Sequence, residues 1–112
     1  PGGTAVPPAA ITTYHAAHDR RDVETALAQF APDAVVVDDG HTYRGLDEIE
    51  TFIRSAASEY TYTRTVRDAD EVAPGEWLVT CHLAGNFPGG TVDLGYRFHL
   101  DGDRITHLTI AP

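Results

Sequence analysis

The chain has 112 residues, a length that suits one domain built around one hydrophobic core. Its formal net charge is −9, with eight arginines and no lysine, and this balance argues against nucleic acid and against anionic membrane surfaces, which both need a basic patch. No apolar run approaches the ~20 residues of a membrane span, and the lone Cys81 excludes an intrachain disulfide and a cysteine-based metal site.

The first ten residues are rich in Pro, Gly and Ala, and we expect residues 1–8 to be loose. A first helix is predicted from Ala9 to Asp19, because the stretch consists of helix formers. Ile11, Tyr14 and His18 recur at the spacing that places them on one helical face.

A second short helix is predicted to begin after Asp22, a good N-cap, and to end at Phe30. Pro32 cannot continue a helix. The β-branched stretch Ala34–Asp38 then predicts a buried strand, which ends at two carboxylates just before Gly40. A carboxylate at the end of an apolar strand faces either water or a cavity. In a cavity it could take part in catalysis, whereas in water it would have a structural role.

A short return strand is predicted at His41–Arg44, followed by a third helix that begins at Leu46 with acidic residues in its first turn. The apolar stripe of this helix consists of Ile49, Phe52, Ile53 and Ala56.

Four long strands are then predicted in a meander, separated by Pro-Gly, Pro-Gly and Asp-Gly turns. The strands are Tyr60–Val72, Glu76–Phe87, Thr91–Leu100 and Arg104–Ile110. The order of elements predicts an α+β fold, with three N-terminal helices packed on one face of a curved, mostly antiparallel sheet.

The hairpin turns predict which side chains share the inner face of the sheet. A two-residue loop at Pro88-Gly89 places Trp77, Val79, Cys81 and Leu83 on one face with Leu94, Tyr96, Phe98 and Leu100. Pairing across Asp101-Gly102 adds Ile105, His107 and Thr109 to that face, where His107 and Thr109 are the polar exceptions. The opposite, outer face receives Thr80, His82, Asp93, Arg97 and His99.

Three segments together resemble the NTF2-like superfamily, in its SnoaL-like and ketosteroid-isomerase-like branches. They read FAPDAVVVDDG, YRGLDEIETFI and RFHLDGDRITHL, and the likeness extends from about Ala10 to Ile110. The resemblance implies a cone of sheet wrapped round helices, with an apolar pocket at one end. Members include isomerases, polyketide cyclases, dehydratases, epoxide hydrolases and binding domains without catalysis.

Ketosteroid isomerases place an oxyanion-stabilising Tyr in the first helix and a general-base Asp at the end of the first strand. Tyr14 and Asp38 occupy those places here, so the resemblance implies acid–base chemistry at a carbonyl compound. The second oxyanion donor of those enzymes is a protonated Asp, and Leu94 stands at its position. The donor is therefore missing unless His107 or Tyr96 replaces it.

The predicted catalytic set is Asp38 as general base, Tyr14 as hydrogen-bond donor and His107 as auxiliary acid or orienting group. The predicted substrate contacts are Tyr96, Phe98, Phe52, Leu94, Trp77 and Thr109. Each functional interpretation has a structural alternative: Asp38 in a solvated turn, Tyr14 and His107 as satisfied core side chains, and Tyr96 as pocket wall.

The sequence thus predicts a cofactor-independent isomerase-type or cyclase-type enzyme for a small, apolar carbonyl compound. The alternative is a ligand-binding or dimerisation module of the same fold without catalysis. The histidine spacing matches no metal-ligand motif, so no metal is expected. We expect a bacterial, cytoplasmic homodimer that associates through the outer sheet face.

Overall fold

The structure is a computed structural model, and it describes residues 6–59 and 61–112, with side chains described outside residues 56–59. Three helices and six strands lie within the described residues. The helices are α1 (Ala9–Asp19), α2 (Val23–Leu27) and α3 (Gly45–Glu59). The strands are β1 (Phe30–Asp38), β2 (His41–Arg44), β3 (Tyr62–Ala73), β4 (Glu76–Gly85), β5 (Thr91–Asp101) and β6 (Arg104–Ala111).

The start of the chain agrees with the helical pattern. α1 begins directly after Pro8 and buries the predicted face that includes Ile11, Tyr14 and His18. Asp22 caps α2 as predicted, because its carboxylate accepts a hydrogen bond from the backbone N–H of Thr25. Of the predicted loose segment, residues 1–5 lie outside the described residues.

The boundary between α2 and β1 differs from the prediction. α2 ends at Leu27, and Phe30 is the first residue of β1 rather than the last of the helix. The backbone N–H of Ile105 donates to the carbonyl of Gln29 at 2.8 Å, so β6 already pairs with the chain here. A fully buried phenylalanine fits both a helical stripe and a strand, and only the distant partner strand decides between them.

The six strands form one mixed sheet in the order β2-β1-β6-β5-β4-β3. β1 pairs in parallel with β6, and the other four neighbouring pairs are antiparallel. The predicted meander of four long strands is confirmed, as is the return strand β2. The predicted start of the third strand at Tyr60 lies outside the described residues, as does the side chain of Ala56 in the α3 stripe.

The β4–β5 hairpin has the predicted faces but a different register. Cys81 pairs with Leu94 and Trp77 with Phe98, because the connection runs from Gly85 to Gly90 rather than through two residues. A two-residue loop would pair Cys81 with Tyr96 and Trp77 with Leu100, so the predicted register is wrong by two positions. A shift of two keeps every side chain on its face, whereas a shift of one reverses them all.

In the β5–β6 hairpin the structure differs from the prediction in a way that affects the proposed site. Leu100 pairs with Ile105, but His99 pairs with His107, so Thr106 is an extra residue in a β-bulge. The Thr106 hydroxyl donates to the His99 carbonyl at 3.0 Å, which satisfies a backbone acceptor within the irregularity. Beyond the bulge the faces of β6 are exchanged relative to the prediction.

The inner face of the sheet packs against α1 and α3 and forms the core. The fully buried side chains of the core come from both the helices and the sheet, which therefore share one apolar interior. The largest of these side chains are Tyr14, Phe30, Phe98, Ile11, Ile49, Ile53, Ile105 and Leu108.

Candidate functional site

A cavity of about 350 Å³ lies between the helices and the inner face of the sheet. Its size is at the small end of the range typical of small-molecule sites. Apolar side chains provide more than half of its wall, and the polar groups come from α1, β1, β3 and β5. The lining consists of Tyr14, His18, Asp38, Phe52, Tyr62, Arg64, Leu83, Phe87, Pro88, Val92, Leu94, Tyr96 and Ile110.

Asp38 reaches this cavity because of its position in β1. Side chains alternate along a strand, so Asp38 shares its face with Ala34 and Val36, which are both fully buried. Asp38 pairs with Ile110 of β6, another residue that lines the cavity, and is itself half-buried. The exposed Asp39 has a positive φ of 51° and starts the turn to β2.

Tyr14 is presented to the same cavity by α1. Its ring is 1% exposed and packs edge-on against Phe30, at 5.3 Å between ring centroids, and against Phe98, at 6.0 Å. Burial raises the pKa of Tyr14 well above its ordinary value, and the neighbouring Tyr96 and the negative charge of Asp38 act in the same direction. Tyr14 therefore stays protonated and keeps a hydroxyl to donate.

The predicted site residues fall into three groups. Tyr14, Asp38, Phe52, Leu94 and Tyr96 line the cavity together. Phe98 and Trp77 are buried on the inner face, as predicted, but pack in the core without lining the cavity.

His107 and Thr109 are the third group, and their predicted place on the inner face is wrong. Both are exposed on the outer face, because the bulge at Thr106 reverses the alternation of β6. Leu108 and Ile110 take the inner positions instead. His107 is thus separated from Asp38 by the sheet, so it does not supply the missing second donor.

Arg64 is the cavity residue that the sequence analysis missed. Its side chain is 6% exposed and pairs with Asp19 at the end of α1, with Nε 3.0 Å from Oδ2. The guanidinium also lies 5.0 Å from the centre of the Tyr96 ring, a cation–π distance. A signal was present: Arg64 pairs with Leu83, and the prediction that Leu83 faces inward would have placed Arg64 there too.

His15 and His18 form a second unpredicted polar group behind Tyr14. Each is 6% exposed, and the His15 ring lies 4.7 Å from that of Tyr96. Burial and then the charge of Arg64 lower the pKa of His15 well below its ordinary value, and the same causes lower that of His18 to about 4. Both imidazoles are therefore neutral at physiological pH, which leaves Arg64 as the cationic group of the described lining.

The described residues hold no cluster of three or more His, Cys, Asp or Glu side chains that could bind a metal ion. The described helices all fall short of the length and apolarity that a bilayer-spanning segment requires.

The fold and the cavity together define an NTF2-like domain, a curved mixed sheet closed over helices with polar groups on an apolar wall. The chain belongs to the SnoaL-like domain family, whose family model matches residues 11–108. This confirms the family expected from the three sequence segments. No functionally curated protein matches the sequence.

Solved structures support the same assignment. A candidate polyketide cyclase from Sinorhizobium meliloti is 30% identical, with a TM-score of 0.87, over 94% of this chain and 95% of that chain. A protein of ketosteroid isomerase-like fold from Catenulispora acidiphila, in complex with trimethylamine, is 19% identical, with a TM-score of 0.83, over 96% and 87% of the chains. A Mycobacterium tuberculosis protein in complex with estradiol-17β-hemisuccinate is 20% identical, with a TM-score of 0.76, over 92% and 90%.

Proposed function

We propose that this protein is a cofactor-independent enzyme that performs acid–base chemistry on a small, largely apolar carbonyl compound bound in the cavity. Asp38 removes a proton from the carbon next to the carbonyl, and Tyr14 donates a hydrogen bond to the enolate oxygen that forms. Returning the proton to another carbon completes an isomerisation. Attack of the enolate carbon on a second carbonyl completes a cyclisation.

The observation that carries the proposal is that Asp38 and Tyr14 line one apolar cavity from opposite elements, β1 and α1. The negative charge of Asp38 contributes to the raised pKa of Tyr14, so the two groups are close enough to interact. A base and a protonated donor must flank the same substrate carbonyl for this chemistry, and their presence in the lining of one cavity supports that arrangement.

Tyr96 is the group that we assign as second donor in place of His107. It lines the cavity next to Leu94, which stands where ketosteroid isomerases carry their second acid. Burial raises the pKa of Tyr96, against the opposing charge of Arg64, so its hydroxyl also remains protonated. Two tyrosine hydroxyls would then share the enolate oxygen.

The test measures proton abstraction directly and needs no knowledge of the natural substrate. Exchange of the α-protons of 2-tetralone in D₂O, followed by NMR, reports a base acting on an apolar ketone. We expect the wild-type protein to accelerate exchange and Asp38→Asn to lose about 10²–10⁴ of that acceleration.

Asp39→Asn is the matched control, because it removes a neighbouring carboxylate that is exposed and leaves a residue that tolerates the positive φ there. Its exchange rate should stay within twofold of wild type. If Asp38→Asn also stays within a few-fold, Asp38 is not the base.

The second candidate function is ligand binding without catalysis, and the apolar Leu94 in place of the second acid favours it. Under this alternative, wild-type protein binds 2-tetralone or related ring compounds without accelerating exchange. Measuring 2-tetralone binding alongside the exchange experiment therefore separates catalysis from ligand binding without catalysis.

A further inference from the structure

Arg64 is held in a fixed position in the cavity wall by groups on several elements. Its Nε lies 3.0 and 3.1 Å from the two carboxylate oxygens of Asp19, and its Nη2 donates to the Tyr62 hydroxyl at 3.3 Å. The Tyr62 hydroxyl in turn donates to Asp19 at 3.0 Å. The rings of Tyr62 and Tyr96 lie 5.6 and 5.0 Å from the guanidinium carbon.

One edge of this guanidinium has no hydrogen-bond acceptor. Nη1 is buried, and no acceptor among the described side chains and backbone lies in hydrogen-bond geometry to it. The thiol of Cys81 and the hydroxyl of Tyr96 lie within hydrogen-bonding reach of the guanidinium, and its proximity acts to lower the pKa of both groups. Neither of them accepts from Nη1 in good hydrogen-bond geometry. A charged donor that is buried and unpaired is unfavourable, and a native structure compensates for one with a water, an ion or a ligand group, or with a functional role.

The chemistry of the guanidinium indicates which ligand group would pair with it. Asp19 engages Arg64 through Nε only, and its own side chain is one-third exposed. Burial raises the pKa of Tyr62 to about 12, so Tyr62 contributes no negative charge. The planar guanidinium is suited to carboxylates, which it binds through two donors at once.

We propose that the Nη1 edge of Arg64 is a subsite for an anionic oxygen group, so that the cavity takes apolar molecules carrying one carboxylate or similar acid. This deepens the proposed function, since it names the class of molecule that occupies the same cavity. The acid group binds on the β3 wall at Arg64, and the apolar body extends along Phe52, Leu83 and Leu94 towards Asp38.

The test compares two fluorescent probes that differ by one acidic group. 8-Anilino-1-naphthalenesulfonate carries a sulfonate, and N-phenyl-1-naphthylamine is the same phenyl-naphthyl amine without it. The quantity measured is the ratio of the two dissociation constants in one protein sample. This ratio is independent of the fraction of protein that is folded, so it stays interpretable if a variant is less stable.

Arg64→Met should lower the preference for the sulfonate at least fivefold. Arg67→Met is the matched control: it lies on the same strand, removes the same charge from an exposed side chain, and should keep the ratio within twofold of wild type. A change of less than fivefold in Arg64→Met, or an equal change in Arg67→Met, would overturn the inference.

A cavity-filling variant locates the probe. Leu94→Trp places a larger side chain in the cavity wall and should weaken the binding of both probes at least tenfold. Unchanged sulfonate binding in this variant would put the anion outside the cavity and also overturn the inference. Asp38→Asn should keep the wild-type preference for the sulfonate probe or increase it. The base role is tested by the exchange rate and the anion subsite by this preference, so the failure of one can be told from the failure of the other.

Discussion

The two faces of the sheet carry similar side chains in different environments. On the inner side, His15 and His18 are each 6% exposed and pack on Tyr14, with ring centroids 5.4 and 5.6 Å from it. On the outer face, His99 and His107 are both exposed, with their rings 6.0 Å apart. The two histidine pairs thus lie on opposite sides of the sheet, the buried pair on α1 and the exposed pair on β5 and β6.

Each face also carries an ion pair. Arg64 and Asp19 are 6% and 32% exposed, whereas His82 and Asp93 on the outer face are 30% and 71% exposed. The outer contact is shorter, at 2.6 Å against 3.0 Å, yet its carboxylate is largely solvated and its imidazole carries a charge only when protonated, so its Coulomb energy is smaller. Burial, rather than distance, therefore makes the contact of Arg64 with Asp19 the stronger of the two.

The largest predicted difference between the faces concerns packing. Phe98→Ala removes a fully buried ring that contacts Tyr14 and His15, and it should lower the free energy of unfolding by about 3–5 kcal/mol. Urea denaturation followed by the fluorescence of Trp77 measures the loss. For a domain of this size, a loss of that magnitude is a large share of the total stability.

His107→Ala is the control on the outer face. Its side chain is exposed, so its replacement should change the free energy of unfolding by no more than about 0.5 kcal/mol. A loss comparable to that of Phe98→Ala would mean that His107 is packed inside, as the sequence analysis predicted and the bulge contradicts.

That bulge marks the limit of what the sequence could show about the fold. The four-strand meander, the places of its turns and the faces of β4 and β5 followed from period-two alternation and turn residues, whereas the parallel pairing of β1 with β6 did not. Nothing in the local sequence of β6 shows that Thr106 is an extra residue, because the bulge exists only relative to the register of β5. The end of α2 could not be predicted for the same reason, because the pairing of Phe30 with Ile105 is what makes Phe30 part of a strand.

The candidate site was predictable to the extent that it follows from alternation and helical spacing. Tyr14 and Asp38 were placed correctly because each is in register with buried neighbours on its own element. Arg64 was missed because a charged residue on an alternating strand is usually assigned to the solvent face. Only the α1 residue Asp19, far away in sequence, makes its burial favourable. Association through the outer face stays a prediction.

The second prediction compares the two ion pairs with matched substitutions. Asp19→Asn should lower the free energy of unfolding by about 2 kcal/mol, because it leaves the buried Arg64 without a counter-charge while Asp19 itself is partly solvated. Asp93→Asn removes the same charge from the outer pair and should cost less than about 1 kcal/mol. Equal losses in urea denaturation would show that burial does not separate the two pairs.

The last prediction concerns pH, and it separates the two histidine pairs. The pKa of His18 is lowered to about 4 from 6.5, first by burial and then by Arg64 and Arg21, against the opposing charge of Asp19. The unfolded chain therefore binds a proton at higher pH than the folded chain does. The stabilisation is fully present above pH 6.5 and is lost as pH falls towards 4.

Between pH 7 and pH 5 this linkage should lower the free energy of unfolding by about 2 kcal/mol for His18, and His15 acts in the same direction. His18→Gln removes one titrating group and should flatten the dependence by that amount. His107→Gln, on the exposed outer face, should leave the dependence of wild type unchanged. A wild-type stability that is constant from pH 7 to pH 5 would contradict the burial of the inner pair, and with it the desolvated environment proposed for Tyr14 beside it.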